Sequence, residues 1–83
     1  MYIVKHVALK IKLLKFYFYQ DEGMRPHVHI DFKNQRLCEI WLDNFDVKKN
    51  YNLKDHELNA LLKLVRSNAD VLSDYWSEVF GEE

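Results

Sequence analysis

Two histidines one residue apart stand in the stretch RPHVHIDF, residues 25–32. An imidazole can donate or accept a proton near neutral pH, and its ring nitrogens bind transition metals. Side chains two residues apart on a β-strand point to the same face of the sheet, so His27 and His29 could act together. The chemistry of the pair then depends on the other side chains that the fold brings to that face.

One chemistry that fits the pair is metal binding. His27 and His29 could share one ion, and Asp43 or Asp31 could supply a third ligand. The signal is weak, because no second cysteine and no further histidine lies near the pair in the sequence. We therefore expect no metal or other cofactor, with His27, His29 and Asp43 as the candidate ligands if a metal does bind.

A second chemistry is acid–base catalysis. His27 and His29 could serve as base and acid while Lys15 or Arg25 holds a phosphate, as in a metal-independent ribonuclease. No motif supplies a nucleophile, and the net charge of −1 argues against a purely electrostatic nucleic-acid binder. Residues 1–36 nevertheless carry seven basic and three acidic side chains, whereas the remainder carries five basic and ten acidic. The expectation is a binding protein rather than an enzyme, with nucleic acid as an alternative ligand.

The composition is that of one small folded domain over residues 1–83. Hydrophobic residues make up 48% of the chain and aromatic residues 14%, with two glycines and one proline. No apolar run approaches the roughly 20 residues that cross a bilayer, and the charged N-terminal stretch makes a poor secretory signal. The single cysteine, Cys38, fits a reducing compartment. We expect a cytoplasmic protein without membrane association.

The periodicity of the sequence changes from that of strands to that of helices. Alternating apolar residues within residues 2–43 predict β-strands, with residues 2–9 as an additional strand. The Leu13–Leu14 doublet breaks the alternation and predicts a bulge or bend. Within residues 54–80, apolar residues recur at helical spacing in two runs. The predicted fold class is α+β, a small antiparallel sheet of three or four strands with two C-terminal helices packed on one face.

The strand register predicts which side chains share a face of the sheet. The apolar residues fall together if Val28 pairs with both Phe18 and Leu42, which implies a three-residue loop over residues 34–36. A two-residue loop would place Glu39 among the apolar residues, so we do not expect it. The opposite face then carries three rows across the sheet: Tyr19, His27 and Asp43; Tyr17, His29 and Trp41; Lys15, Asp31 and Glu39.

The aromatic side chains of that opposite face favour recognition over catalysis. Three neighbouring rings would expose a large apolar area if nothing covered them, and such patches mark interaction sites. We expect a second protein, or another copy of the same chain, to bind there; cover by residues 2–9 is the alternative. The predicted binding face consists of Tyr17, Tyr19, His27, His29, Trp41 and Asp43.

Several short motifs then resemble a known family in their order and spacing. FYFYQDEGMRPHVHI is followed by CEIWLDNFDVKKNYNLKDHELNALLKLVRSNADVLSDYWSEVFG. From residue 14 to residue 81 the chain resembles the bacterial family called domain of unknown function 4160. One proline precedes His27 where that family often has two, and Lys54 stands where a capping serine is usual, so Asn52 or Asp55 is the expected helix cap.

The resemblance implies little about chemistry. It implies that the protein is a component of a small prokaryotic two-gene module, of the kind often described as toxin–antitoxin-like. Such a component would have a protein or a nucleic acid as its partner. The resemblance carries over no catalytic residue. His27 and His29 belong both to the family motifs and to the face that the register singles out, and this agreement makes that face the expected site.

Overall fold

The computed structural model describes residues 4–22 and 24–81. Its strands form one antiparallel sheet, five strands wide, with the strands in chain order. The α+β class and the C-terminal helix pair are confirmed, but the sheet has five strands rather than three or four. The elements are β1 (Lys5–Ile11), β2 (Leu14–Tyr19), β3 (His27–Phe32), β4 (Gln35–Trp41), β5 (Val47–Asn50), α1 (Asp55–Ser67) and α2 (Ala69–Phe80).

The stretch around the leucine doublet is a hairpin and not one bulged strand. Ile11 at the end of β1 pairs with Leu14 at the start of β2, and a two-residue turn joins them. Lys12 in that turn has a φ of 54°. The alternation breaks at the doublet because the chain reverses direction there. The strand predicted at residues 2–9 is thus β1 in shifted bounds, and its first two residues lie outside the described part of the chain.

The pairing of β2 with β3 is confirmed, whereas the predicted pairing of β3 with β4 is wrong by two residues. Tyr17 pairs with His29, as the sequence predicts. On the other side of β3, however, His29 pairs with Glu39 and not with Trp41. Trp41 lies opposite His27 instead. A shift of two residues keeps every side chain on its predicted face, so the two faces are as expected although the rows differ.

The shift has its origin in a tight turn followed by a β-bulge. Lys33 and Asn34 form a two-residue turn with φ values of 51° and 67°, the left-handed conformation that such hairpins need. The pairing then slips between Ile30 and Asp31, which leaves Leu37 of β4 as the extra residue. The expected three-residue loop is therefore wrong. The bulge lets a two-residue turn coexist with an apolar face that excludes Glu39.

The two helices cover the inner face of the sheet, as predicted. Their buried side chains pack against the apolar residues of β2, β3 and β4. Cys38 is buried in this layer, and burial raises the pKa of its thiol to about 12. The core consists of Phe16, Phe18, Val28, Ile30, Cys38, Ile40, Leu42, Leu61, Val65, Leu72 and Trp76.

The first helix is capped differently from the prediction. The backbone N–H of Lys54 donates to Glu57 Oε1 at 2.9 Å, so the carboxylate one turn into α1 stabilises the helix start. Neither Asn52 nor Asp55 takes the capping position, which Lys54 occupies. Neither α1 nor α2 is long and apolar enough to cross a membrane.

Candidate functional site

The outer face of the sheet, on the side away from the helices, is not an open aromatic patch. Tyr17 is only 1% exposed, because its ring stacks on His29 with centroids 5.1 Å apart and Lys5 Nζ lies 4.3 Å from its centroid. Tyr19 and Trp41 are half-buried. Of the three rings expected to form an apolar patch, Tyr17 is therefore covered, and Tyr19 and Trp41 are only partly exposed. Neighbouring side chains of the same face, including long cationic ones, provide the cover.

Asp31 is hydrogen-bonded on this face and does not belong to a group of possible metal ligands among the described residues. Its Oδ1 accepts a hydrogen bond of 3.0 Å from the Tyr17 hydroxyl. Lys15 lies opposite Asp31 on β2, as predicted, and Arg36 lies opposite it on β4. Burial, together with the Asp31 carboxylate, raises the pKa of Tyr17 above its usual value, so the hydroxyl stays protonated as the donor.

His27 and His29 do lie together, and the structure adds a carboxylate to them. They are only 4% and 7% exposed, and their ring centroids are 5.2 Å apart. Glu22 Oε1 lies 2.7 Å from His29 Nε2 and 3.3 Å from His27 Nε2. We call Glu22, His27 and His29 the histidine cluster. Glu22 precedes β3 in the connecting loop, and its side chain is 34% exposed.

The second nitrogen of each ring also lies near an oxygen atom of the protein. His27 Nδ1 lies 2.8 Å from the backbone oxygen of Arg25. A carbonyl oxygen can only accept, so Nδ1 of His27 carries a proton and donates it. His29 Nδ1 lies 3.6 Å from Glu39 Oε2. Both rings therefore point their Nε2 atoms at the same oxygen of Glu22.

Glu39 is a buried carboxylate with several partners. It accepts hydrogen bonds from Tyr51 Oη at 2.5 Å and from Lys48 Nζ at 2.9 Å. Burial alone would raise the pKa of Glu39, but the hydrogen bonds from Tyr51 and Lys48 outweigh it and hold that pKa below its usual value. Glu39 is therefore charged at neutral pH, next to His29.

Asp43, the predicted third metal ligand, lies elsewhere. Its carboxylate forms a two-point salt bridge with the Arg25 guanidinium, with distances of 2.8 and 3.0 Å. Hydrogen bonding to Arg25 holds the pKa of Asp43 below its usual value. The position opposite His27, where the sequence analysis placed Asp43, is occupied by Trp41. Asp43 is thus a partner of Arg25 and not of the histidines.

A pocket of about 300 Å³ opens beside the histidine cluster. The Arg25 guanidinium carbon lies 3.8 Å from the centroid of the Trp41 ring, and Lys48 Nζ lies 5.5 Å from it. Met24 at the pocket is 97% exposed. The residues that line the pocket are Asp21, Glu22, Met24, Arg25, His27, Trp41 and Lys48.

Fold and site together define a small α+β domain in which two histidines and a glutamate meet at one end of the sheet, next to a pocket. The chain belongs to the family described as domain of unknown function (DUF4160), which it matches over residues 13–77. That range contains the histidine cluster and every residue that lines the pocket. No curated protein and no solved structure matches the chain.

Sequence analysis missed three residues of the site. Glu22 and Met24 were not proposed as site residues, and Glu39 was placed in a row with Lys15 and Asp31. The one signal for Glu22 was its place in the stretch FYFYQDEGMRPHVHI, which carries part of the family resemblance. Met24 carries no periodic signal, because it lies in a loop.

Proposed function

We propose that this domain binds a partner protein at the pocket beside the histidine cluster, as one component of a two-gene, toxin–antitoxin-like module. The observation that carries the proposal is the exposure of Met24, 97%, at the mouth of a pocket whose wall is the half-buried Trp41. The proposal replaces the aromatic face of Tyr17 and Tyr19 with a smaller surface at one end of the sheet.

Apolar burial supplies the driving force for this contact. A methionine side chain that is almost fully in water gains roughly 1.5–3 kcal/mol when a partner covers it. Methionine is also flexible and polarisable, so it adapts to the shape of an incoming side chain. Tryptophan and arginine are enriched among the residues that dominate binding energies, and here Arg25 stacks directly on Trp41.

The pocket wall is held in place before any partner arrives. Asp43 fixes the Arg25 guanidinium on Trp41 through two hydrogen bonds. On the other side of the pocket, Glu39 fixes Lys48 at 2.9 Å. Side chains that are already ordered lose little conformational entropy on binding, so more of the contact energy becomes affinity.

The shape and charge of the pocket indicate the kind of segment that fits. An apolar side chain of the partner would enter between Met24 and Trp41. The carboxylates of Asp21 and Glu22 at the same pocket would then accept hydrogen bonds from backbone N–H groups or basic side chains beside it. The partner that the module implies is the protein encoded by the adjacent gene.

The test compares two exposed apolar residues at different places. Met24→Ser should weaken binding of the adjacent gene's product by about 10-fold or more, since roughly 1.4 kcal/mol corresponds to a factor of 10. Leu13→Ser is the matched control, because Leu13 is 55% exposed in the turn between β1 and β2, away from the pocket. Titration calorimetry gives both affinities.

Two results would contradict this proposal. One is the absence of binding between the wild-type domain and the adjacent gene's product. The other is an equal loss of affinity for Met24→Ser and Leu13→Ser, which would move the contact away from the pocket. Sedimentation of the domain alone distinguishes a second copy of the chain from a different protein as the occupant.

A further inference from the structure

We propose that Glu22, His27 and His29 form a binding site for a divalent transition-metal ion, for which Zn²⁺ is the best-fitting probe. The inference is independent of the partner-binding proposal. It rests on the positions of three ligand atoms and on the groups that orient the two imidazole rings. Both features come from side chains that are fixed by other parts of the fold.

The three ligand atoms already have the spacing of a metal site. One ligand atom from each of the three residues lies within 4.8 Å of the other two. With bonds of about 2.0–2.2 Å, tetrahedral or octahedral coordination places neighbouring ligand atoms roughly 3.0–3.4 Å apart. Of the observed distances from Glu22 Oε1, 3.3 Å lies within this range and 2.7 Å lies below it.

A neutral His27 beside an ionised Glu22 would leave one hydrogen bond of the cluster unmade. Because Nδ1 of His27 donates to the Arg25 carbonyl, a neutral His27 has a lone pair on Nε2. That lone pair faces an anionic oxygen of Glu22 at 3.3 Å, an unfavourable arrangement. A proton on either group, or a metal ion, would have to lie between the two atoms. A metal ion satisfies both rings and the carboxylate at once.

The groups behind the ligands are those that orient histidines in metal sites. A metal-bound imidazole almost always donates its other N–H to a backbone carbonyl or a carboxylate. His27 does so to the Arg25 carbonyl at 2.8 Å, and His29 Nδ1 faces Glu39 at 3.6 Å. Glu39 is in turn fixed by Lys48 and Tyr51. This outer layer sets both Nε2 atoms toward the same point.

The donor set selects the class of ion. Two imidazole nitrogens and one carboxylate oxygen suit zinc, iron, nickel or copper, whereas magnesium and calcium prefer oxygen ligands alone. Three protein ligands leave a coordination position for water or another ligand. Glu22 and His27 also line the pocket, so solvent can reach an ion held there. The two carboxylates Glu22 and Glu39 balance the charge of a divalent cation.

The experiment measures zinc binding to chelator-treated protein, with a competing chelator to set the free Zn²⁺ concentration. Wild type should bind one ion, and Co²⁺ should give visible absorption bands from nitrogen and oxygen ligands. Glu22→Gln should lower the zinc affinity at least about 100-fold, and Glu39→Gln about 10–100-fold, because it acts through His29. Glu22 is partly exposed in a loop, so its variant keeps the fold even if His29→Ala does not.

Two controls separate this site from weak binding by any surface histidine or carboxylate. His56→Ala removes an exposed histidine on α1, and Asp43→Asn alters the carboxylate that the sequence analysis proposed as a ligand. Both should bind zinc as the wild type does. The proposal is overturned if no equimolar binding occurs, or if Glu22→Gln binds zinc as tightly as His56→Ala. In that case protons, and not a metal, hold the cluster together.

Discussion

His29 lies between two carboxylates, Glu22 on its Nε2 side and Glu39 on its Nδ1 side. Such an arrangement fixes the ring in one orientation, and the stacked ring of Tyr17 fixes its plane. Burying charged groups in this way is unfavourable unless each has partners. Lys48 and Tyr51 supply those partners for Glu39. The residues around the histidines are therefore ordered as a network, a property expected of a binding or metal site.

The depressed pKa of Glu39 predicts a specific pH dependence of stability. A carboxyl group whose pKa is lower in the folded than in the unfolded state stabilises the fold at pH values above its unfolded-state pKa of about 4.3. That stabilisation is lost as the pH falls through the folded pKa. Between pH 5 and pH 3 the wild type should therefore lose more free energy of unfolding than Glu39→Gln does. Urea unfolding at several pH values measures the difference, and parallel curves would contradict it.

At the scale of single residues, the sequence predicted part of the site. The period of two along a strand is sufficient to place His27 and His29 on one face. The third member could not be found by that rule, because Glu22 lies in a loop whose path no periodicity describes. The alternative ligand, Asp43, was placed beside His27 only because the register between β3 and β4 was wrong by two residues.

At the scale of elements, the turn after β3 determines which residues meet across the sheet. The bulge at Leu37 leaves Asp31 between Lys15 and Arg36, and Glu39 between His29 and Lys49. The predicted register would have placed Asp31 opposite Glu39, two like charges side by side. The observed register pairs each carboxylate with cationic or hydrogen-bonding neighbours, a physical reason for it to be preferred.

The same turn provides a prediction about stability. Asn34 has a φ of 67°, a conformation that glycine adopts with less strain. Asn34→Gly should therefore raise the free energy of unfolding by about 0.5–1 kcal/mol. Asn59→Gly, the same exchange in the exposed interior of α1, should lower it by a few tenths of a kcal/mol. Chemical denaturation measures both, and a loss of stability in Asn34→Gly would contradict the assigned turn.

The strands show which elements a sequence can and cannot reveal. The cleanly alternating β3 and β4 and the helical periods after residue 54 were predicted correctly. β5 was missed because VKKN lacks apolar alternation, and all four residues are exposed. It is a strand because its backbone pairs with β4, a contribution that side-chain patterns do not report. The first hairpin was missed because its turn, Lys12–Leu13, has neither glycine nor asparagine.

At the scale of the whole molecule, the sheet has two chemically different sides. The inner side is an apolar layer sealed by α1 and α2. On the outer side, aromatic rings, histidines and buried carboxylates interact with one another, and Trp76 of α2 contacts His27 at the end of this network. A polar network of this kind stabilises a fold less than an apolar layer does, and its retention favours a functional role. The pocket opens where this network ends.

The two tryptophans allow a direct test of whether the pocket is the binding surface. Trp41 forms the pocket wall, whereas Trp76 is buried between α2 and the sheet. Each indole N–H gives its own signal in a nitrogen–proton correlation spectrum. When the adjacent gene's product is added to ¹⁵N-labelled domain, the Trp41 indole signal and the backbone signals of residues 24–27 should shift most. The Trp76 signal should shift less, since its ring meets the pocket only through His27, with centroids 5.6 Å apart. Shifts confined to Trp76 and the helices, or to the turn at Leu13, would contradict the account.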